Sequence, residues 1–366
     1  MAAPIVSSVS SNSSNGNVTV TWQTDVAADT QAAVFFGPAK HCSWNWQLTG
    51  TVDTSASAQV YDFDAFENNA SLVTSLHASG VYCIAYFSAG SWENWRPDAA
   101  SFPANVLGNN LSGWPGEKWL DVTNLAVLRP IMAARADIAK SKGFDAIEWD
   151  CVDVYTQASG FTISAAQNIA YIEMVAQIAH ERGMGAFLKN DPGQITTLAP
   201  FFEGSIGEEA YHYSESALYQ PFTTANKPVL LAEYSSQYTN TINAADANAN
   251  GFSLILQTLN LNTKYVASYV TNPAPAVTLG GNATQANATL STNHSLTFGG
   301  LTNGQTYGFL VWSTNAGGTT YDATPRTFVA SGTPAINPLQ PIGPYFAVGS
   351  SWSAVSRRIA KNGTWN

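Results

Sequence analysis

The sequence predicts an α/β protein in which a (β/α)8 barrel is inserted into an all-β, immunoglobulin-like sandwich. Three observations carry this. In the middle of the 366 residues, short apolar runs alternate with helix-like stretches about every 25–40 residues. Most of those runs end in a polar or charged residue, as strands do at the mouth of a functional barrel. The segments before residue 40 and after residue 275 instead show short alternating runs punctuated by turn residues, the pattern of a sandwich.

Taken in order, Asn17–Gln23 alternates, with Val18, Val20 and Trp22 on one face, and Gln31–Gly37 reads as a second strand. Eight barrel strands are expected at Trp46–Leu48, Gln59–Asp64, Val81–Ser88, Phe144–Asp150, Ala186–Asn190, Gly204–Glu209, Pro228–Tyr234 and Phe252–Gln257. Helices are expected at Leu128–Lys142 and Ser164–Arg182. His294–Phe298 and Thr306–Thr314 then resume the strand pattern. Neither flank closes a sandwich alone, because a three-stranded sheet leaves an apolar face and two edges exposed. Together they offer about seven strands. The expected domains are residues 1–40 with 271–331 (split sandwich), 41–270 (barrel) and 332–366 (a tail with no assigned structure).

Composition bounds the function. Only 11% of residues are charged, against about 25% in an average globular chain. The net charge of −10 argues against a nucleic-acid partner. No run approaches the roughly 18 apolar residues of a membrane helix. The charge is uneven: residues 41–270 hold 22 acidic and 10 basic side chains, the rest 3 and 5. A cleft lined by one sign of charge draws in the opposite sign, so a cationic substrate is expected. Cys42, Cys83 and Cys151 are too few for a disulfide scaffold, and no Cys/His spacing points to a metal. No metal, cofactor or membrane partner is expected. Met1 is followed at once by Ala-Ala-Pro and a Ser/Asn-rich stretch, so we expect a mature secreted chain without its leader, acting as a monomer. Eleven Trp, 15 Tyr and 17 Phe among many small polar residues fit a carbohydrate-active protein.

The chemistry concentrates at strand ends. Phe144–Asp153 reads FDAIEWDCVD. Glu148 and Asp150 point the same way, because side chains two apart share a strand face. Residues 186–190 (AFLKN) and 204–209 (GSIGEE) add a lysine, an asparagine and further acids. Two carboxylates across a pocket are what glycosidic hydrolysis needs, one to protonate the leaving oxygen and one to attack carbon or activate water. Trp44, Trp46, Tyr86, Trp92, Trp95, Trp114, Trp149, Tyr211 and Tyr213 lie near the same ends, where flat rings can stack on sugars.

Two resemblances follow. Gly300–Tyr307, GLTNGQTY, resembles a fibronectin type III turn and strand through Leu301, Gly304 and Tyr307. The barrel segment resembles glycoside hydrolase family 114, the endo-α-1,4-polygalactosaminidases. The matching pieces are WNWQLTG (44–50), VYDFDAF (60–66), YCIAYFSAGSWENWRPD (82–98), WPGEKWLDV (114–122), GFDAIEWDCVD (143–153), GFTIS (160–164), LKN (188–190), EEAYHY (208–213) and KPVLLAEY (227–234). The resemblance implies hydrolysis of α-1,4-linked galactosamine polymers, with catalytic carboxylates at the ends of the fourth and sixth strands. These are Asp150 as nucleophile and Glu208 as acid/base, with Glu209 as the fallback. It also implies substrate-binding positions at Trp46, Asp62, Asp64, Tyr86, Glu93, Arg96, Asp121, Asp153, Lys189, Asn190, Tyr213 and Glu233. Glu93 and Arg96 are alternatively an ion pair holding the third loop.

Departures from the family pattern keep other readings open. The family usually has Asn at the position of Cys151, and cysteines at the positions of Ala210 and Ser216. A non-catalytic polysaccharide-binding protein on a degenerate barrel, and an α-galactosidase-type hydrolase of a neutral glycan, are the alternatives.

Overall fold

The computed structural model describes residues 2–14, 16–234, 242–322, 325–330, 346–348 and 351–353. It divides into two compact units, one of residues 1–33 with 284–366 and the other of residues 34–283.

The larger unit holds eight parallel strands: β1 Trp44–Gln47, β2 Val60–Asp64, β3 Tyr82–Ser88, β4 Ala146–Asp150, β5 Gly185–Lys189, β6 Gly204–Glu208, β7 Val229–Tyr234 and β8 Ser253–Gln257. Each pairs with the next in sequence, and Ala267–Ser268 adds a short antiparallel strand on β8, giving nine in all. The sheet nearly closes into a barrel. At the seam, side chains bridge the first and last parallel strands: the Trp44 indole donates to the Ser253 carbonyl at 2.8 Å, and the Gln257 amide to the Trp46 carbonyl at 2.7 Å. Continuous apolar runs suit strands covered on both faces, and β1, β2, β5 and β7 are buried at every position.

The main helices are α1 Ala70–Ala78, α2 Leu125–Lys142 and α3 Ala165–His180. Helix α3 starts on a reciprocal capping box between Ser164 and Gln167. Helix α2 stops at Gly143, whose φ of 91° is the left-handed geometry a helix C-terminus favours. Its buried face carries Arg135, which pairs with Asp98 at 2.6 Å and donates to the carbonyl of Ser88. A buried guanidinium thus ties down the last residue of β3. The loop after β3 folds into a three-stranded antiparallel sheet of Ser91–Glu93, Glu117–Leu120 and Leu107–Asn110. The sequence reading had no strands there.

The smaller unit is a six-stranded sheet of Val6–Ser14, Asn17–Phe35, Ala283–Phe298, Thr306–Asn315, Gly318–Tyr321 and Arg326–Val329. Asn17–Phe35 pairs with both Ala283–Phe298 and Thr306–Asn315, so the two ends of the chain share one sheet. It is a single strand of 19 residues where the sequence pattern reads as two, because alternation continues through Thr24–Thr30. Trp22 is its central side chain, stacked on His294 at 5.1 Å and donating to Ser313 at 3.0 Å. Within 332–366, Phe346–Val348 pairs with Ser351–Ser353; the rest of that expected tail lies outside the described residues.

Candidate active site

The C-terminal ends of β4, β5 and β6 converge on one ammonium group. Lys189, the last residue of β5, is 2% exposed. Its Nζ lies 2.9 Å from Asp150 Oδ1, 2.7 Å from Glu208 Oε2 and 3.6 Å from Glu148 Oε1. Those Asp150 and Glu208 oxygens are therefore no farther apart than these two short contacts laid end to end. Beneath the ammonium lies the Trp46 ring, its centroid 4.9 Å away, a favourable seat for a desolvated cation. Burial alone would lower the Lys189 pKa, but Asp150, Glu208 and Glu148 hold it well above the usual lysine value.

Asp150 accepts a second bond, from the Tyr86 hydroxyl at 2.9 Å. Burial pushes its carboxyl up; Lys189, the Cys151 backbone N–H and Tyr86 outweigh that, so its pKa is lowered and the ionised form favoured. Glu208 is oriented from three sides. Tyr234 donates to Oε1, the Asn190 amide donates to Oε2 at 3.3 Å, and Asn190 Oδ1 accepts the Glu208 N–H at 2.9 Å. Below this layer, Glu148 accepts the Trp46 indole N–H at 3.1 Å. Burial pushes Glu148 up to about 7 despite Lys189. Asp62 is fully buried, and burial followed by the Glu148 charge pushes it well above the carboxylate range. Of this floor, the sequence reading selected Trp46 and Asp62 as site residues but not Glu148.

A cleft of about 480 Å³ opens beside Glu208, within the usual size of small-ligand pockets. Asp153, Asn190, Asp191, Glu209 and Tyr213 line it. Tyr213 is 61% exposed, with its ring edge-on to His212. Asp153 accepts from Gln157 at 2.6 Å.

The remaining expected residues have partners within the protein. Arg96 sits between Asp64, at 2.6 Å, and Glu93, at 2.7 Å, and all three are buried. This is the ion pair holding the third loop, extended to the end of β2. Asp121 accepts the Thr123 N–H at 3.1 Å and its hydroxyl at 2.6 Å, shaping the turn into α2. Glu233 accepts the Tyr211 N–H at 2.8 Å and the His212 N–H at 3.3 Å, anchoring the loop that follows β6. Tyr234 and Asp191 went unselected although each adjoins a residue that was chosen; the only signal was adjacency to Glu233 and Asn190.

The backbone leaves β4, β5 and β6 in unusual form. Cys151 (φ 58°), Asn190 and Asp191 (φ 51° and 53°) and Glu209 (φ 53°) are all left-handed. Asparagine tolerates this region and cysteine does not favour it. Strain of roughly 1–3 kcal/mol per such residue is concentrated where the acids emerge. Gly90 makes room for it. Its N–H and that of Ala89 both donate to the Asp150 carbonyl, at 3.1 and 2.8 Å. A Cβ at Gly90 would stand 1.6 Å from the Cys151 carbonyl oxygen. Gly90→Ala must displace the segment carrying Asp150. We expect activity to fall about 100-fold or more, the cost of an ångström-scale misplacement; unchanged kcat in the purified variant would contradict this packing.

Among the described residues, the His, Cys and acidic side chains that come close enough to hold a metal are His77, Cys83 and Asp145. Cys83 and Asp145 lie at the N-terminal ends of β3 and β4, opposite the cleft, and His77 lies in the last turn of α1. Asp145 Oδ2 is already engaged by His77 and by the Cys83 N–H, each at 2.9 Å.

Carboxylates on neighbouring strand ends, at the C-terminal mouth of a nearly closed parallel barrel, define the class: a glycoside hydrolase. Residues 23–273 match the model of glycoside hydrolase family GH114, and the chain belongs to that family. Among solved structures it is similar to Aspergillus fumigatus Ega3 in complex with galactosamine, with 35% identity, 62% of this chain and 95% of that chain covered, and a TM-score of 0.58. The glycoside hydrolase domain of PelA from Pseudomonas aeruginosa matches at 12% identity over 66% of this chain and 99% of that one, with a TM-score of 0.46. An α-galactosidase from Thermus thermophilus matches at 12% identity over 70% and 77%, with a TM-score of 0.40. No curated protein matches. Among the described residues, no helix is long and apolar enough to cross a membrane.

Proposed function

We propose that this protein cleaves internal α-1,4 linkages of galactosamine-containing polysaccharide with retention of configuration. Asp150 attacks the anomeric carbon while Glu208 gives its proton to the leaving oxygen. Glu208 then takes a proton from water, which displaces Asp150 from the glycosyl ester. The observation that carries this is the single Lys189 ammonium within 2.9 Å of Asp150 and 2.7 Å of Glu208. The bound it sets on these two oxygens is compatible with the ~5–5.5 Å separation of the carboxyl groups in retaining enzymes. It also suits the charge bookkeeping of the two steps. Asp150 is the anion in the free enzyme, and Glu208 is the anion once Asp150 is esterified. One cation between them offsets either.

The amino-sugar specificity is supported by the acidic cleft and by the galactosamine complex of Ega3, 35% identical. We read the six-stranded unit as fibronectin type III-like, and the protein as a secreted monomer. The test is digestion of α-1,4-galactosaminan, de-N-acetylated and fully acetylated, followed by mass spectrometry. Internal cleavage of the de-N-acetylated chain into oligomers is expected; release of nothing from either polymer would overturn the proposal.

A further inference from the structure

The insert after β3 carries four tryptophans, Trp92, Trp95, Trp114 and Trp119. Trp119 is buried, and Trp92 is half-buried with its indole N–H on the Ala99 carbonyl at 3.0 Å. Trp95 and Trp114 are instead 50% and 53% exposed, and neither lines the cleft beside Glu208. Tryptophan is highly buried on average, so two open rings on one short insert point to an occupant.

The local backbone holds both rings out. Trp114 stands between Gly113 and Pro115 in a turn closed at each end. Its N–H donates to the Leu111 carbonyl at 3.2 Å, and its carbonyl accepts the Glu117 N–H at 3.1 Å. The Asn94 N–H donates to the Gly116 carbonyl at 3.1 Å, which brings the segment carrying Trp95 alongside that turn. Gly116 has φ 97°, and a Cβ there would stand 3.0 Å from the Trp95 ring. The two indoles thus share one end of the insert, on backbone fixed before any ligand arrives. The insert in turn is seated on the wall of the cleft. The Asn109 N–H donates to the Ser159 carbonyl and its side-chain amide to the Ala158 carbonyl, each at 2.9 Å. These carbonyls belong to the loop whose Asp153, Tyr155 and Thr156 line the cleft.

We propose that Trp95 and Trp114 form an auxiliary polysaccharide-binding platform, on which the two indoles stack against pyranose rings of the polymer remote from the bond being cut. The proposal rests on the polygalactosaminidase reading above and extends it beyond the cleft. That cleft is the size of a small-ligand pocket, so a chain cut internally must run out over the neighbouring surface. The exposed neighbours of the rings are Asn94, Pro97, Ser112, Gly113 and Pro115. Flat rings bordered by small or polar residues match a pyranose, whose apolar C–H face is bordered by hydroxyls. A protein partner would need a broader surface with an apolar centre, about 800 Å² a side.

The test compares the full chain with its Trp95→Ala/Trp114→Ala variant. In kcat/KM the loss should grow with chain length. It should be least on an activated aryl α-galactosaminide, which reaches only the cleft, and at least about tenfold on long α-1,4-galactosaminan, the scale of losing aromatic anchors. Affinity electrophoresis in gels containing the polymer, with Asp150→Asn added to prevent turnover, should show the same weakening. Phenylalanine at both positions should keep most of the affinity, and leucine should not. An equal loss on both substrates would make the rings supports of the insert and overturn the platform, as would polymer affinity unchanged within about twofold. Leucine binding as well as phenylalanine would overturn stacking. A dimer dissolved by the double change, with polymer affinity unmoved, would assign the rings to contact between copies of the chain instead. If the unaltered protein neither binds nor cuts the polymer, the polygalactosaminidase reading itself fails, and the platform with it.

Discussion

Asp150→Asn should lower kcat on galactosaminan by about 10⁴-fold or more, the scale of losing a catalytic group that works in concert with others. The substitution is isosteric. The Asn oxygen can still accept from Tyr86, whose hydroxyl lies 2.9 Å from the carboxylate, so the loss should fall on turnover rather than on folding. Glu208→Gln should behave differently. Its role is proton transfer, worth about 10²–10⁴-fold, and that help is unnecessary when the leaving group is already a good one. The Gln variant is expected to fail on the polymer yet still release the aryl group of an activated aryl α-galactosaminide in a first-turnover burst, with slow hydrolysis of the glycosyl ester after it; on this substrate Asp150→Asn remains inactive. Added azide separates the two further. It can replace Asp150 as nucleophile and give the β-glycosyl azide, or replace the activated water in the Glu208 variant and give the α-azide. Glu209→Gln is the control. Glu209 leaves β6 in a left-handed conformation with Oε1 unpartnered, and none of the Lys189 ion pairs includes it. A polymer-specific loss in that variant, with Glu208→Gln active, would reverse the assignment of acid/base. More than a tenth of normal activity in Asp150→Asn would sink the nucleophile.

Much of this site was legible because a barrel makes position along the chain into position in space. All eight expected strands occur, their ends moving by two residues at most. Period two along β4 placed Glu148 and Asp150 on one face, and both reach Lys189. What sequence could not tell was which acids face the cleft and which serve the scaffold. Asp121, Glu233 and Glu93 lie near strand ends like Asp150 and Glu208. Their hydrogen bonds go to a turn, a loop and a buried arginine. That sorting depends on contacts between residues distant in the chain, as between Arg96 and Asp64. Local pattern carries no trace of it. The three-stranded insert after β3 was illegible for another reason: its strands are three or four residues long, too short for alternation to emerge. Gly90 looks like any loop glycine until the Cys151 carbonyl is seen against it.

Lys189→Met tests the electrostatic centre of the site. The methionine stem can follow the lysine's path beside Trp46, so the change removes charge with little volume. Breaking a buried ionic cluster by deleting one partner typically costs about 3–5 kcal/mol, because the survivors stay buried without compensation. Here the survivors are Glu148, Asp150 and Glu208, and they can respond by taking up protons. Lys189 is the largest influence lowering the Asp150 pKa against the upward push of burial. Without it the nucleophile should be neutral over part of the working range, and the acidic limb of the kcat/KM profile should move to higher pH. Stability should follow the same protons. Carboxyls whose folded pKa rises above the unfolded value bind more protons in the native state, so stability declines as pH climbs from the unfolded value through the folded one. The deficit of Lys189→Met in melting temperature should therefore be smallest near pH 5 and grow towards pH 8, while activity is lost most at the acidic end. A purely steric role for Lys189 would give a pH-independent deficit and an unmoved acidic limb. These opposite pH trends in stability and rate are what an ammonium shared by Asp150 and Glu208 requires.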